Sequence, residues 1–256
     1  MTQASALPHR VVAVAAHFDD VALSLAGVLL QAAGPIAVVT AHGGPPPKDA
    51  IVSDWDLDCG FVSGDQAYRT RRAEDADCCA VLGADQILLP NADGPYRPDG
   101  SLDGLDEVLR QIDHDVDVYL PLGTNQPDHA RVRDQGLAAL ASRHGHLPRV
   151  LLYADLPYSA VAPGWGAADD GTALPRASRA GAAFRDLDAR HGLRLVTHLQ
   201  LCDDLWASKR SAVLCHASQL SLVGAMDEMA GTGSLLGPEG PLRRELVWEL
   251  LTGSLT

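Results

Sequence analysis

Lysine is nearly missing from this chain: Lys48 and Lys209 are the only two in 256 residues, and Arg supplies the rest of the 20 basic side chains. Against them stand 33 Asp and Glu, for a formal net charge of -13. Without clustered cations the chain cannot neutralise phosphates, which excludes nucleic acid as a partner, and the same balance opposes binding to an anionic membrane surface. No uninterrupted apolar run is long enough to cross a bilayer. No charged segment followed by an apolar one opens the chain, so no signal peptide is expected and the protein reads as cytoplasmic. Cysteine is sparse as well. Cys59, Cys78, Cys79, Cys202 and Cys215 include no C-x-x-C spacing, which removes the usual zinc-ribbon and redox motifs and fits a reducing compartment. The remaining composition, 46% hydrophobic and 21% charged, is that of an ordinary globular protein long enough to bury a sizeable core.

Short runs rich in Val, Ile and Leu alternate with amphipathic stretches, the pattern of a buried parallel sheet wrapped by helices. Strands are predicted at Val11 to Ala16, Ile36 to Ala41, Gln86 to Leu89, Asp117 to Leu120 and Val150 to Tyr153. Helices are predicted at Asp20 to Ala33, Ser63 to Leu82, Leu102 to Ile112 and Ala130 to Ser142. This rhythm predicts an α/β fold: one Rossmann-like, doubly wound, mostly parallel sheet with helices on both faces. Two stretches interrupt it, His42 to Gly64 and Pro157 to Gly181, both rich in Gly and Pro. Each follows a predicted strand, so each can wall the crevice at the carboxyl ends of the strands.

The segment AVAAHFDDVALSLAG (13–27) runs from a strand straight into His17, Asp19 and Asp20. One Asp at a helix start is a common cap; a His and two Asp within four residues exceed what capping needs. His17 and Asp20 can converge on one ion and leave Asp19 free as a base. After the strand at 117–120, GTNQPDHARVRD places Asp128 and His129 at the start of the next helix, facing the same crevice. Two His and one Asp with room for water is the composition of a catalytic zinc site. A dinucleotide oxidoreductase is disfavoured, because no G-x-G-x-x-G follows the first strand.

These motifs resemble those of the PIG-L/LmbE-like zinc-dependent N-acyl deacetylases. AHFDDV (16–21) and QPDH (126–129) are similar to the family's AHPDDE and HPDH motifs. RTRRAEDADCCAVLGAD (69–85) resembles its Arg-x-x-Glu helix, and LLPNADG (88–94) its Asp-Gly loop. WDLDCGF (55–61) and VLLYADLPYS (150–159) look like the branch acting on glycosylated natural products, and ASQLSLVGAMDEM (217–229) matches more faintly.

The resemblance implies one Zn2+ per chain, held by His17, Asp20 and His129, with Asp19 as general base and an N-acyl amino sugar, such as one on an antibiotic precursor, as substrate. It places Arg71 and Asp93 in the substrate pocket and makes Asp128 the residue that orients the family's catalytic His. Here that His is Gln126, which can donate a hydrogen bond but cannot carry a proton. His42, at the end of the second strand, is the candidate replacement. Val21 and Phe18 stand where the family has Glu and Pro. Two alternatives stay open: a mycothiol-type deacetylase or thiol-conjugate amidase, and a zinc- and sugar-binding remnant that no longer turns over. The whole of 1–256 is expected to be one such domain, with a core over 10–160 and substrate-side loops and C-terminal helices over 161–256; a homo-oligomer is left open. An Arg71–Glu74 ion pair is expected from their helical spacing. Tyr153, Asp155 and Tyr158 are expected at the crevice, and Tyr68 in packing.

Overall fold

Val11–Ala15 (β1) is five apolar residues in a row, all of them buried, as a strand covered on both faces must be. In the computed structural model, which describes residues 8–97, 100, 102–143, 146–167, 169–224 and 234–251, β1 lies in a seven-stranded sheet. Its partners are Ile36–Thr40 (β2), Ala84–Leu88 (β3), Asp117–Pro121 (β4), Arg149–Tyr153 (β5), Leu193–Gln200 (β6) and Arg244–Leu250 (β7). The order is β3-β2-β1-β4-β5-β7-β6. Strands β1 to β5 pair in parallel, and β7 runs antiparallel to both β5 and β6. Alternation along β1 feeds two core layers: Val12 and Val14 pack on one face with Val118 and Leu120, and Val11, Ala13 and Ala15 on the other with Val38.

The fold expectation holds, with corrections in detail. The segment 161–256 was expected to supply loops and helices; it also supplies β6 and β7 to the same sheet. The single helix expected over 20–33 is two, Asp20–Ser24 (α1) and Ala26–Leu29 (α2), broken at Leu25. The break has a partner: Gly27 N and Val28 N donate to the two carboxylate oxygens of Glu245 on β7, each at 2.8 Å. Glu245 Oε1 also lies 2.6 Å from Lys209 Nζ, and neither side chain of that pair is exposed. Lys209 belongs to Asp203–Cys215 (α9), so β7, α9 and α2 meet at one buried charge pair.

The remaining helices follow from local signals. In the 42–64 segment Asp54–Asp58 forms a short helix (α3) capped by Ser53. Gly64–Leu82 (α4) is capped by Ser63 and closed by Gly83 at φ +66, a backbone angle that favours glycine. Leu105–Arg110 (α5) and Pro127–Ala141 (α6) flank β4. Asp170–Arg176 (α7) and Ala182–His191 (α8) precede β6. Among the described residues no helix is long and apolar enough to cross a membrane.

Candidate metal centre and active site

The chain leaves β1 toward β2 on one side, whereas β4 leads to β5 on the other. Adjacent strands whose connections part in this way open a crevice at their carboxyl ends. His17 follows β1 by two residues, Asp20 is the first residue of α1, and His129 is the third of α6. One ligand atom from each of the three lies within 4.8 Å of the others. His129 Nε2 is 3.2 Å from Asp20 Oδ1, and His17 Nδ1 is 3.8 Å from Asp20 Oδ2. Asp20 also ties down the strand-to-helix turn: its Oδ2 accepts from His17 N at 2.7 Å. That backbone bond and metal binding are compatible in one side chain, since Oδ1 still faces His129.

His129 offers the test of whether an ion fits. Its ring is wholly buried, Nδ1 is 2.9 Å from Asp155 Oδ1, and Nε2, although 3.2 Å from Asp20 Oδ1, makes no well-formed hydrogen bond. A buried ring nitrogen left unpaired is costly, and a carboxylate behind the other nitrogen is the usual support of a metal-bound imidazole. The residues present therefore fit a divalent cation. Asp155, expected at the crevice, lies behind His129 instead, where it also accepts from Thr124 N at 2.8 Å. Asp155→Asn is expected to weaken metal affinity about 10- to 100-fold, read by competition with a chelator; unchanged affinity would remove Asp155 from this role.

Without an ion, protons balance the carboxylates. Burial alone would lower the His129 pKa, but Asp20 and Asp155 push it up to about 9. Burial would raise Asp20, yet His129 and His17 hold it at about 2. His17 is likewise raised, against burial, by Asp93, Asp128 and Asp20. Asp19 moves the other way: burial and the charge of Asp20 lift its carboxyl to about 6.

These groups border a cavity of about 410 Å3. Asp19, His42, Arg71, Asp93, Gln126 and Asp128 all line it, as do His17 and Asp20, while His129 is buried beneath. The chain has 3 Phe, 4 Trp and 5 Tyr, and five of those aromatics, Phe18, Trp55, Tyr68, Tyr96 and Tyr158, line this cavity. Tyr68, expected in packing, faces the cavity with its ring 6.4 Å from Phe18. Tyr153 is the reverse case, fully buried with its hydroxyl donating to Val14 O at 3.0 Å.

Gln126 is the N-cap of α6, its Oε1 accepting from Asp128 N at 2.6 Å. Asp128 accepts from Arg131 Nη1 at 2.9 Å and approaches Gly94 so closely that a Cβ there would collide with its Oδ2. His42 Nδ1 pairs with Ala92 O at 2.8 Å, and its ring stacks on His17 at 5.5 Å. Burial and the charge of His17 lower its pKa. The expected Arg71–Glu74 pair does not form. Arg71 Nη2 is 2.5 Å from Asp56 Oδ1, and Arg71 Nη1 is 3.7 Å from Asp93 Oδ2. Glu74 accepts from Ser218 N and Oγ at 2.8 and 2.7 Å. Asp56 also accepts from the Tyr96 hydroxyl at 2.6 Å, and Trp55 Nε1 donates to Gln219 Oε1 at 2.8 Å, so α3 is pinned as one wall. Of the faint match at 217–229, residues 225–229 lie outside the described residues.

In sequence, residues 12–140, half of the chain, match the PIG-L family, described as GlcNAc-PI de-N-acetylase. Among solved structures, a zinc-inhibited form of teicoplanin deacetylase is 23% identical at a TM-score of 0.66, covering 94% of this chain and 97% of that one. The deacetylase of A40926 pseudoaglycone is 22% identical at 0.63, with 95% and 97% covered. A 4-carboxy-2-hydroxymuconate hydratase from Pseudomonas putida is 16% identical at 0.53, with 93% and 95% covered. These likenesses are of fold. No curated protein matches the chain in sequence.

Proposed function

The chain belongs to the PIG-L (GlcNAc-PI de-N-acetylase) family, and from that premise we propose that it is a zinc-dependent hydrolase removing an N-acetyl group from an amino sugar on a larger glycosylated molecule, of the kind found in antibiotic precursors. The observation that carries this reading is the His17–Asp20–His129 cluster with the buried Nε2 of His129, which makes no well-formed hydrogen bond. Two imidazoles and one carboxylate form the donor set of catalytic zinc sites. An ion held there supplies Lewis acidity toward a water and an acyl carbonyl.

The side chains divide the rest of the work. Asp19 lines the cavity beside the ligands without being one of them, and a carboxylate oxygen there takes the proton of the attacking water. The leaving nitrogen must receive a proton, since an amide anion does not depart. Gln126 has none to give and its Oε1 is engaged in capping α6. In neutral His42 the contact of Nδ1 with Ala92 O puts the ring proton on Nδ1 and leaves Nε2 as a lone pair. Asp19 therefore serves both ways, and His42 assists as an acceptor rather than as the replacement acid. Arg71, anchored by Asp56, and Asp93 present a fixed donor and acceptor to sugar hydroxyls, against an aromatic wall suited to ring faces and apolar aglycones.

The test is metal content followed by acetate release from N-acetylglucosaminides with bulky aglycones. Wild-type protein is expected to hold zinc at this cluster and release acetate, and His129→Ala to lose the zinc of this cluster together with acetate release. A zinc-loaded wild type that releases no acetate from any such glycoside would leave the remnant reading in its place.

A further inference from the structure

The two ring nitrogens of His17 face two different sets of groups. Nδ1 looks toward Asp20, in the centre described above. Nε2 lies 3.3 Å from Asp93 Oδ1 and 3.5 Å from Asp128 Oδ2, and one ligand atom from each of His17, Asp93 and Asp128 lies within 4.8 Å of the others. Two carboxylates beside an imidazole are not by themselves a site. The second observation is His42. Its side chain is 2% exposed, its Nε2 has no hydrogen-bond partner, and that atom points at the same cluster, 3.8 Å from Asp128 Oδ1. A buried lone pair aimed at that cluster is an unused donor for a cation.

We propose that His17, Asp93 and Asp128, backed by His42, form a second, outer divalent-cation site, filled after the inner one and inhibitory when filled. The inhibition rests on the hydrolase reading above; the binding does not. Mixed carboxylate and imidazole donors suit Zn2+, Mn2+ and Co2+ alike. Two features make the outer position the weaker. Arg131 already holds Asp128, and Arg71 stands 3.7 Å from Asp93, so part of the negative charge is met. A neutral imidazole carries a single N–H, so an ion on Nε2 while Nδ1 is ligated must displace the ring proton to solvent. Once bound, the outer ion occupies the oxygens of Asp93 and Asp128 and stands in the cavity that the substrate needs to enter.

Mn2+ is the probe, because the chain's five thiols compete poorly for this hard ion. Loss of the free Mn2+ electron paramagnetic resonance signal on titration counts the ions bound. Two per wild-type chain are expected, the second weaker. Asp93→Asn and, independently, His42→Ala are expected to bind one, and His129→Ala to lose the inner ion and keep the outer. Acetate release by the wild type already holding one zinc is expected to fall as added Mn2+ fills the outer site. Saturation at a single ion in wild type, or two ions persisting in the Asp93→Asn/Asp128→Asn double variant, would overturn the outer site. An active enzyme that binds one ion rejects the outer site and leaves the hydrolase intact. A chain that binds two ions and hydrolyses nothing supports the outer site and removes the hydrolase.

Discussion

In Asp19→Asn, turnover is expected to fall about 100- to 10,000-fold while the metal stays bound. The substitution keeps the volume of the side chain and leaves His17, Asp20 and His129 untouched, so only proton acceptance is lost. The direction with pH follows from the environment of Asp19. In the cation-free protein burial and the Asp20 charge hold its carboxyl at about 6, and a cation among the neighbouring ligands draws it down from there. The acid limb of wild-type kcat/KM is therefore expected at or below about pH 6, and the residual rate of the Asn variant should not follow it. Metal analysis and a pH profile on the same preparations check both halves. A metal-replete variant with wild-type turnover would show that the base is elsewhere.

The other large effect is on stability. Glu245→Gln is expected to destabilise the fold by about 3–5 kcal/mol, because it leaves the Lys209 ammonium buried without its counter-charge. Wild-type Lys209 and Glu245 are wholly buried and 2.6 Å apart, and Glu245 receives the N–H groups of Gly27 and Val28 as well. For a chain of this length the loss corresponds to roughly 6–20 °C in Tm. Glu245→Gln/Lys209→Met removes both charges and should recover most of the loss. Denaturant titrations of the two variants decide it: equal loss in both would mean that the contacts to α2, not the charge pair, carry the energy.

The contrast between these two residues shows what a sequence can reveal. Asp19 sits in a local signal, a strand running into a polar helix start, and β1, β2, β4 and β5 were legible because each is a short apolar run buried on both faces. Glu245 gave no such signal, for its partners are 217 and 218 residues away. The same distance hid the break at Leu25, since the run from 20 to 33 reads as continuous helix until a strand from the far end of the chain caps its middle. β6 escaped notice for a different reason: its residues are all intermediate or exposed, as befits an edge strand, and no apolar run announces them. Asp155 was placed near the crevice, but which way it faces depends on the β4–β5 register, with Pro121 opposite Tyr153. Arg71 misled through a local rule. Helical spacing favours Glu74, whereas burial turned Arg71 toward Asp56.

The position of β7 bears on how the sheet assembles. It is the last strand described, yet it lies between β5 and β6 rather than at a margin. Until residues 244–250 arrive, β5 and β6 each present an unpaired row of backbone groups, the kind of surface that recruits other chains. Closure of that gap joins segments far apart in sequence, a slow class of folding event. The strand that completes the sheet also delivers Glu245 to α2, directly behind the helix that begins with Asp20. Order at the candidate metal centre is thereby tied to the final stage of folding, so a nascent chain holds His17, Asp20 and His129 long before it holds them in place.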